Sequence, residues 1–92
     1  MKSGELIGKP VIDSEAQILG KVCEIEFDTS TWKIIDIHMD LEKTVVETIG
    51  FQRPLLMGSV KVRIPTEEVN AIHDIVSLKK SIFELKGIAR KV

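Results

Sequence analysis

Hydrophobic and polar positions alternate most regularly between Leu19 and Leu41. In the first half of this stretch Cys23, Ile25 and Phe27 alternate with Glu24, Glu26 and Asp28. In the second half Ile35, Ile37, Met39 and Leu41 alternate with Asp36, His38 and Asp40. A period of two assigns each set to one face of a half-buried sheet. The stretch therefore reads as two long strands. Between them Asp28-Thr29-Ser30-Thr31 supplies side chains that hydrogen-bond nearby backbone and favour a turn. Cys23, Ile25 and Phe27 with Ile35, Ile37 and Met39 are the expected centre of the core, and Trp32 and Ile34 fall on the opposite, outer face.

The remaining pattern supplies what must cover that hairpin. Leu6 and Ile7 are expected early core contacts. Pro10-Val11-Ile12-Asp13 reads as a short strand, with Pro at a position where no central ladder bond is lost. Asp13 to Gln17 is a polar turn. Gly20 lies inside the next strand, where a bulge or a close backbone approach is the usual reason. After the hairpin, Leu41, Val45 and Ile49 fall four apart, which predicts a short amphipathic helix with Asp40 as N-cap and Gly50 as its end.

Phe51 to Ser59 is a loop punctuated by Pro54 and Gly58. Its Leu55, Leu56 and Met57 are unusually apolar for a loop and either plug the core or face a partner. Val60, Val62 and Ile64 then alternate with Lys61 and Arg63 up to Pro65. Thr66-Glu67-Glu68-Val69 predicts one helical turn capped by Thr66. A last strand runs from Ile75 to Lys79. The tail, with Ile82, Phe83, Leu85 and Ile88, is expected to add an edge strand or a short helix and then fray. The fold class is all-β with a short helix, a small partly open barrel of about five to six strands whose closure hides sheet edges. Residues 1–80 are expected to form the barrel and 81–92 the edge element and tail.

Composition narrows the picture. Ninety-two residues make one small domain, and with three Phe, one Trp and no Tyr its core has to be aliphatic. A core of this size gains stability by dimerising. The net charge of −1 gives no bulk electrostatic case for nucleic acid, yet it is unevenly spread. Residues 1–50 carry 5 basic and 10 acidic side chains, and residues 51–92 carry 8 basic and 4 acidic, which could support subunit pairing. The single cysteine excludes an internal disulfide. No apolar run approaches the ~20 residues that span a bilayer, and the first residues hold no apolar stretch long enough for a secretory signal. A cytoplasmic location is expected.

The order Ile7-Gly8-Lys9-Pro10-Val11-Ile12-Asp13, Leu19-Gly20-Lys21-Val22, Phe27-Asp28, Val62-Arg63-Ile64-Pro65, then Val69 and His73-Asp74, resembles the PRC-barrel domain over roughly residues 6–80. The turn with Thr31-Trp32-Lys33-Ile34 and the insert at 41–50 look like the small stand-alone archaeal members. The resemblance implies a small, partly open β-barrel without enzymatic chemistry, used for protein contacts. Some stand-alone archaeal members are linked to cell division, where they associate with an adaptor of the division ring and form dimers. Two departures stand out. Many members have Gly where this chain has Ala16-Gln17, and His73-Asp74 stands where Gly-Asp is common.

Candidate chemistry is sparse. Asp36, His38 and Asp40 share a face and could offer carboxylate and imidazole ligands to a metal, but no second ligand cluster accompanies them, and a solvated strand face explains them better. Nothing beside Asp36 and His38 resembles a nucleophile constellation. Cys23 reads as a small buried hydrophobe. No phosphate-binding glycine pattern is present, so neither a cofactor nor a catalytic residue is assigned. Lys79, Lys80, Lys86, Arg90 and Lys91 make a basic end without an aromatic stacking platform, so nucleic acid is the weaker expectation. The expected function is a non-catalytic protein-interaction module, a homodimeric adaptor in an archaeal cytoplasm. The alternative is an RNA- or ribosome-associated factor using the basic C-terminal half. The expected contact residues are Trp32, Ile34, Leu55, Leu56 and Met57.

Overall fold

A computed structural model describes residues 3–49 and 60–91. A short helix α1 (Ser3–Leu6) leads into strands β1 (Pro10–Ile12), β2 (Ile18–Asp28) and β3 (Lys33–Leu41). Helix α2 (Lys43–Ile49), strand β4 (Val60–Pro65) and a 3-10 turn (Thr66–Glu68) follow. The chain ends through β5 (Val69–Ile72), β6 (Val76–Leu78), helix α3 (Ile82–Leu85) and β7 (Arg90–Lys91). All seven strands join one sheet in the order β5-β6-β1-β2-β3-β4-β7. Every pairing is antiparallel except that of β1 with β6. The fold is mostly β with short helices, as the alternation implies. β5 is the strand that the pattern did not announce.

Among the described residues the core is wholly aliphatic. Val11, Leu19, Val22, Ile37, Met39 and Leu41 fill it from the first three strands, Val60, Val62 and Ile64 from β4, and Val76 and Leu78 from β6. Leu6, Val45, Val46, Ile82, Leu85 and Ala89 close over it. The described aromatic side chains, Phe27, Trp32 and Phe83, all stand outside.

Two bulges decide which hairpin residues reach that core. Val22 pairs with Met39 and Glu24 with His38, so Cys23 is an extra residue on β2. Glu26 pairs with Asp36 and Phe27 with Ile34, so Ile35 is an extra residue on β3. Cross-strand partners share a face, and each bulge offsets the alternation by one residue. The expected stripe is corrected accordingly. Ile37 and Met39 are buried and Ile25 packs against the core. Cys23 is only half-buried, and Phe27 and Ile35 are each 42% exposed. Ile34, expected outside, turns toward the core face beside Ile37. Ile7 is exposed as well, leaving Leu6 as the core contact of the lead-in.

Gly20 shows why β2 lies so close to β3. A Cβ at this position would sit 1.8 Å from the carbonyl oxygen of Asp40, so only hydrogen fits. The same contact moves the start of the helix. Asp40 stays in the sheet opposite Lys21 and Lys61, and Leu41 pairs with Gly20 and Val60. Asp40 is therefore not the N-cap. The first helical amides, those of Val45 and Val46, bond to the carbonyl of Glu42. Thr66 does not cap the 3-10 turn either; its hydroxyl donates to the carbonyl of Ile34 at 2.9 Å. Beyond Lys80, Ser81 caps α3 reciprocally with Glu84, and Arg90 pairs with Arg63 on β4.

Asp13 is the buried polar anchor, with only 2% of its surface exposed. Its Oδ1 accepts from the amides of Glu15 and Gln17 at 2.9 Å each, and its Oδ2 accepts from the amide of Ile82 at 3.0 Å. One carboxylate thus shapes the β1–β2 turn and seats the first turn of α3. The turn passes through Ala16 with φ of 64°, a left-handed backbone at one of the positions where the family resemblance would place Gly.

Candidate functional site

The sequence singled out Trp32 and Ile34 on the β2–β3 hairpin, and the structure sets them at its tip in different roles. Trp32 follows the turn Asp28–Thr31, and its amide donates to the carbonyl of Asp28 at 2.7 Å. Its φ of 59° lies in the left-handed region, which a bulky side chain rarely occupies. The indole is 78% exposed, so it does not fold over the barrel end. Phe27 and Ile35 lie on the two strands near the same turn, so three large apolar side chains stand in solvent within one hairpin end. Asp28 holds the turn. Its carboxylate accepts from the Ser30 hydroxyl at 2.7 Å and the Ser30 amide at 2.9 Å. Those bonds favour the ionised form and hold its pKa below the usual carboxylate value.

Ile34 lines a hollow of about 450 Å³ in the seam where β5 faces β3. Leu6, Ile37, Val69, Ala71 and Ile72 complete its apolar wall, and Thr66 and Asn70 add polar groups. The 3-10 turn is tied to β3 by the bond from Thr66 to Ile34. This hollow is where the partly open barrel fails to close, and no sequence pattern marked it because β5 itself was not marked. Leu55, Leu56 and Met57, the other expected contact residues, lie outside the described residues.

The outer face of the central strands is charged. Lys21, Asp40 and Lys61 form one cross-strand row, and Glu24, His38 and Arg63 form the next. His38 Nε2 donates to Glu26 at 3.2 Å and its Nδ1 lies 3.9 Å from Glu24. Its neighbours across β2 are thus Glu24 and Glu26. Among the described residues no group of three His, Cys, Asp or Glu side chains is placed to hold a metal ion. Cys23 sits on this face at the bulge. Burial raises its thiol pKa, the charges of Asp40 and Glu24 raise it further, and Lys61 opposes them. The thiol is protonated at neutral pH and is a poor nucleophile.

A family model for the PRC-barrel domain matches residues 1–85. The chain belongs to the PRC-barrel family. PRC-barrel domains are small protein-interaction modules, generally without catalysis. In this PRC-barrel the hairpin tip carries the exposed Trp32, and Ile34 lines the hollow. No curated protein matches the chain. Among its described residues no helix is long and apolar enough to cross a membrane.

Proposed function

We propose that this PRC-barrel is a non-catalytic adaptor, working as a homodimer in an archaeal cytoplasm and linked to cell division through a protein partner. The observation that carries the reading is Trp32, which is 78% exposed on a backbone conformation that disfavours it. An exposed indole with apolar neighbours is the composition of an interface anchor. Ile34 lies beside it, and Leu55, Leu56 and Met57 are assigned to the same contact surface on their apolar sequence alone.

The test is affinity capture from native extract with the tagged chain and its Trp32→Gly variant. Gly suits a left-handed position, so the variant should fold. Loss of a specific, stoichiometric protein with the variant supports the reading. Capture of the same protein by both chains would show that this partner does not bind through the tip.

A second reading rests on the basic edge, where Arg63 pairs with Arg90 on neighbouring strands and Lys61 lies two residues away. RNA retention that falls steeply with salt would favour an RNA- or ribosome-associated role; no retention at low salt would remove it.

A further inference from the structure

The hairpin tip and the seam hollow lie side by side on one end of the barrel. The tip presents an exposed indole, and the hollow an apolar recess. Trp32 is two residues from Ile34, and Ile34 belongs to the wall of the hollow. Yet Trp32 is not part of that wall, and its indole extends into solvent. The hollow, about 450 Å³, is within the roughly 300–1,000 Å³ of clefts that take drug-sized ligands, so it has room for an indole. A knob and a socket that neighbour each other on one surface are self-complementary under a two-fold axis.

Charge at the two features agrees with such an exchange. Lys33 is exposed immediately after Trp32, and Glu67 is exposed immediately after Thr66 on the rim of the hollow. A two-fold exchange of the tips brings each Lys33 toward the other copy's Glu67, and opposite charges set the register of contacts.

We infer that the occupant of the hollow is Trp32 of a second copy of this chain, inserted reciprocally about a two-fold axis at the hairpin end. The inference rests on the reading of the tip as a protein contact and names that contact as copy to copy. The indole that would enter the second copy is the one its own barrel leaves 78% exposed, on a left-handed backbone.

Trp32 is the only tryptophan in the chain, so its fluorescence reports this contact directly. With rising concentration the emission should shift to the blue and resist acrylamide quenching over the range where sedimentation shows the mass doubling. Trp32→Gly should raise the dimer dissociation constant on the order of 100-fold or more. Ala71→Phe fills the hollow from within and should do the same, with Ala71→Leu as the milder variant if the larger one does not fold.

An equimolar mixture of the two variants restores one knob and one socket. It should form a heterodimer on the order of tenfold tighter than either variant alone, with the Ala71→Phe chain's tryptophan shifting as it enters. A dimer that survives Trp32→Gly overturns the inference, as does one that survives filling of the hollow. A native chain that stays monomeric with water-exposed emission also overturns it. If Trp32→Gly has in that case lost a captured protein partner, the tip remains a protein contact and only the second copy is refuted.

Discussion

Asp13 holds three backbone N–H groups on one buried carboxylate, and two of them belong to a turn while the third belongs to a helix at the far end of the chain. Replacing it with Ala leaves those donors without acceptors in a site that water reaches poorly. The expected loss is about 3 kcal/mol, read as a fall in melting temperature of roughly 12–24 °C for a domain of this size. Ala16 predicts the opposite sign. Its φ of 64° is a position that Gly occupies without Cβ strain. Ala16→Gly should therefore stabilise by about 0.5–1 kcal/mol after the greater unfolded-state freedom of Gly is subtracted. A higher urea midpoint with an unchanged slope would show it. Cys23 tests the outer face: raised by burial and by Asp40, its thiol should alkylate slowly at pH 7 and accelerate only in alkaline solution. Fast modification at pH 7 would contradict that environment.

At the scale of elements, the hairpin depends on one missing side chain. Gly20→Ala would drive a Cβ into the carbonyl of Asp40, and the obstacle is backbone that cannot swing aside. The expected cost is about 2–3 kcal/mol or more, visible as a melting temperature at least roughly 10 °C lower. The same hairpin shows what was legible beforehand. β4 carries no bulge, and its Val60, Val62 and Ile64 face the core as their alternation says. Ile37, Met39 and Leu41 do likewise. The misread facings, those of Cys23, Ile34 and Ile35, lie at or beyond a bulge, where one extra residue shifts the facing without any marker of residue type, whereas Phe27 keeps its alternation with Ile25 and is exposed at the open end of the hairpin. β5 was missed because a bulge at Asn70 breaks an already short alternation. Trp32 was legible as an exposed apolar residue at a turn. The hollow was not, because its walls come from α1, β3 and β5, which only the tertiary fold brings together.

For the whole molecule, the aliphatic interior and the exposed aromatics divide the labour. Folding uses Val, Leu and Ile, which pack in few rotamers, while Phe27, Trp32 and Phe83 are left for other surfaces. A chain of 92 residues has a thin stability margin, and association with a second copy would widen it. The melting temperature should then rise with protein concentration in the native chain and become concentration-independent in Trp32→Gly. Calorimetry over a hundredfold dilution series would separate the two behaviours. A native melting temperature that does not move with dilution would leave the barrel self-sufficient.

The single parallel pairing, Val11 beside Val76, has a kinetic consequence. β2, β3 and β4 are consecutive antiparallel neighbours and can assemble from local contacts. β1 can pair with β2 early, but its other edge waits for a strand some sixty residues downstream. On the ribosome, the first strand of this barrel therefore stands with one edge open until β6 has emerged. Only once β6 and α3 have emerged can the amide of Ile82 reach Asp13, and β7 then pairs with β4. Synthesis that stalls before that point leaves a sheet with an exposed edge, the form most prone to pair with the wrong neighbour.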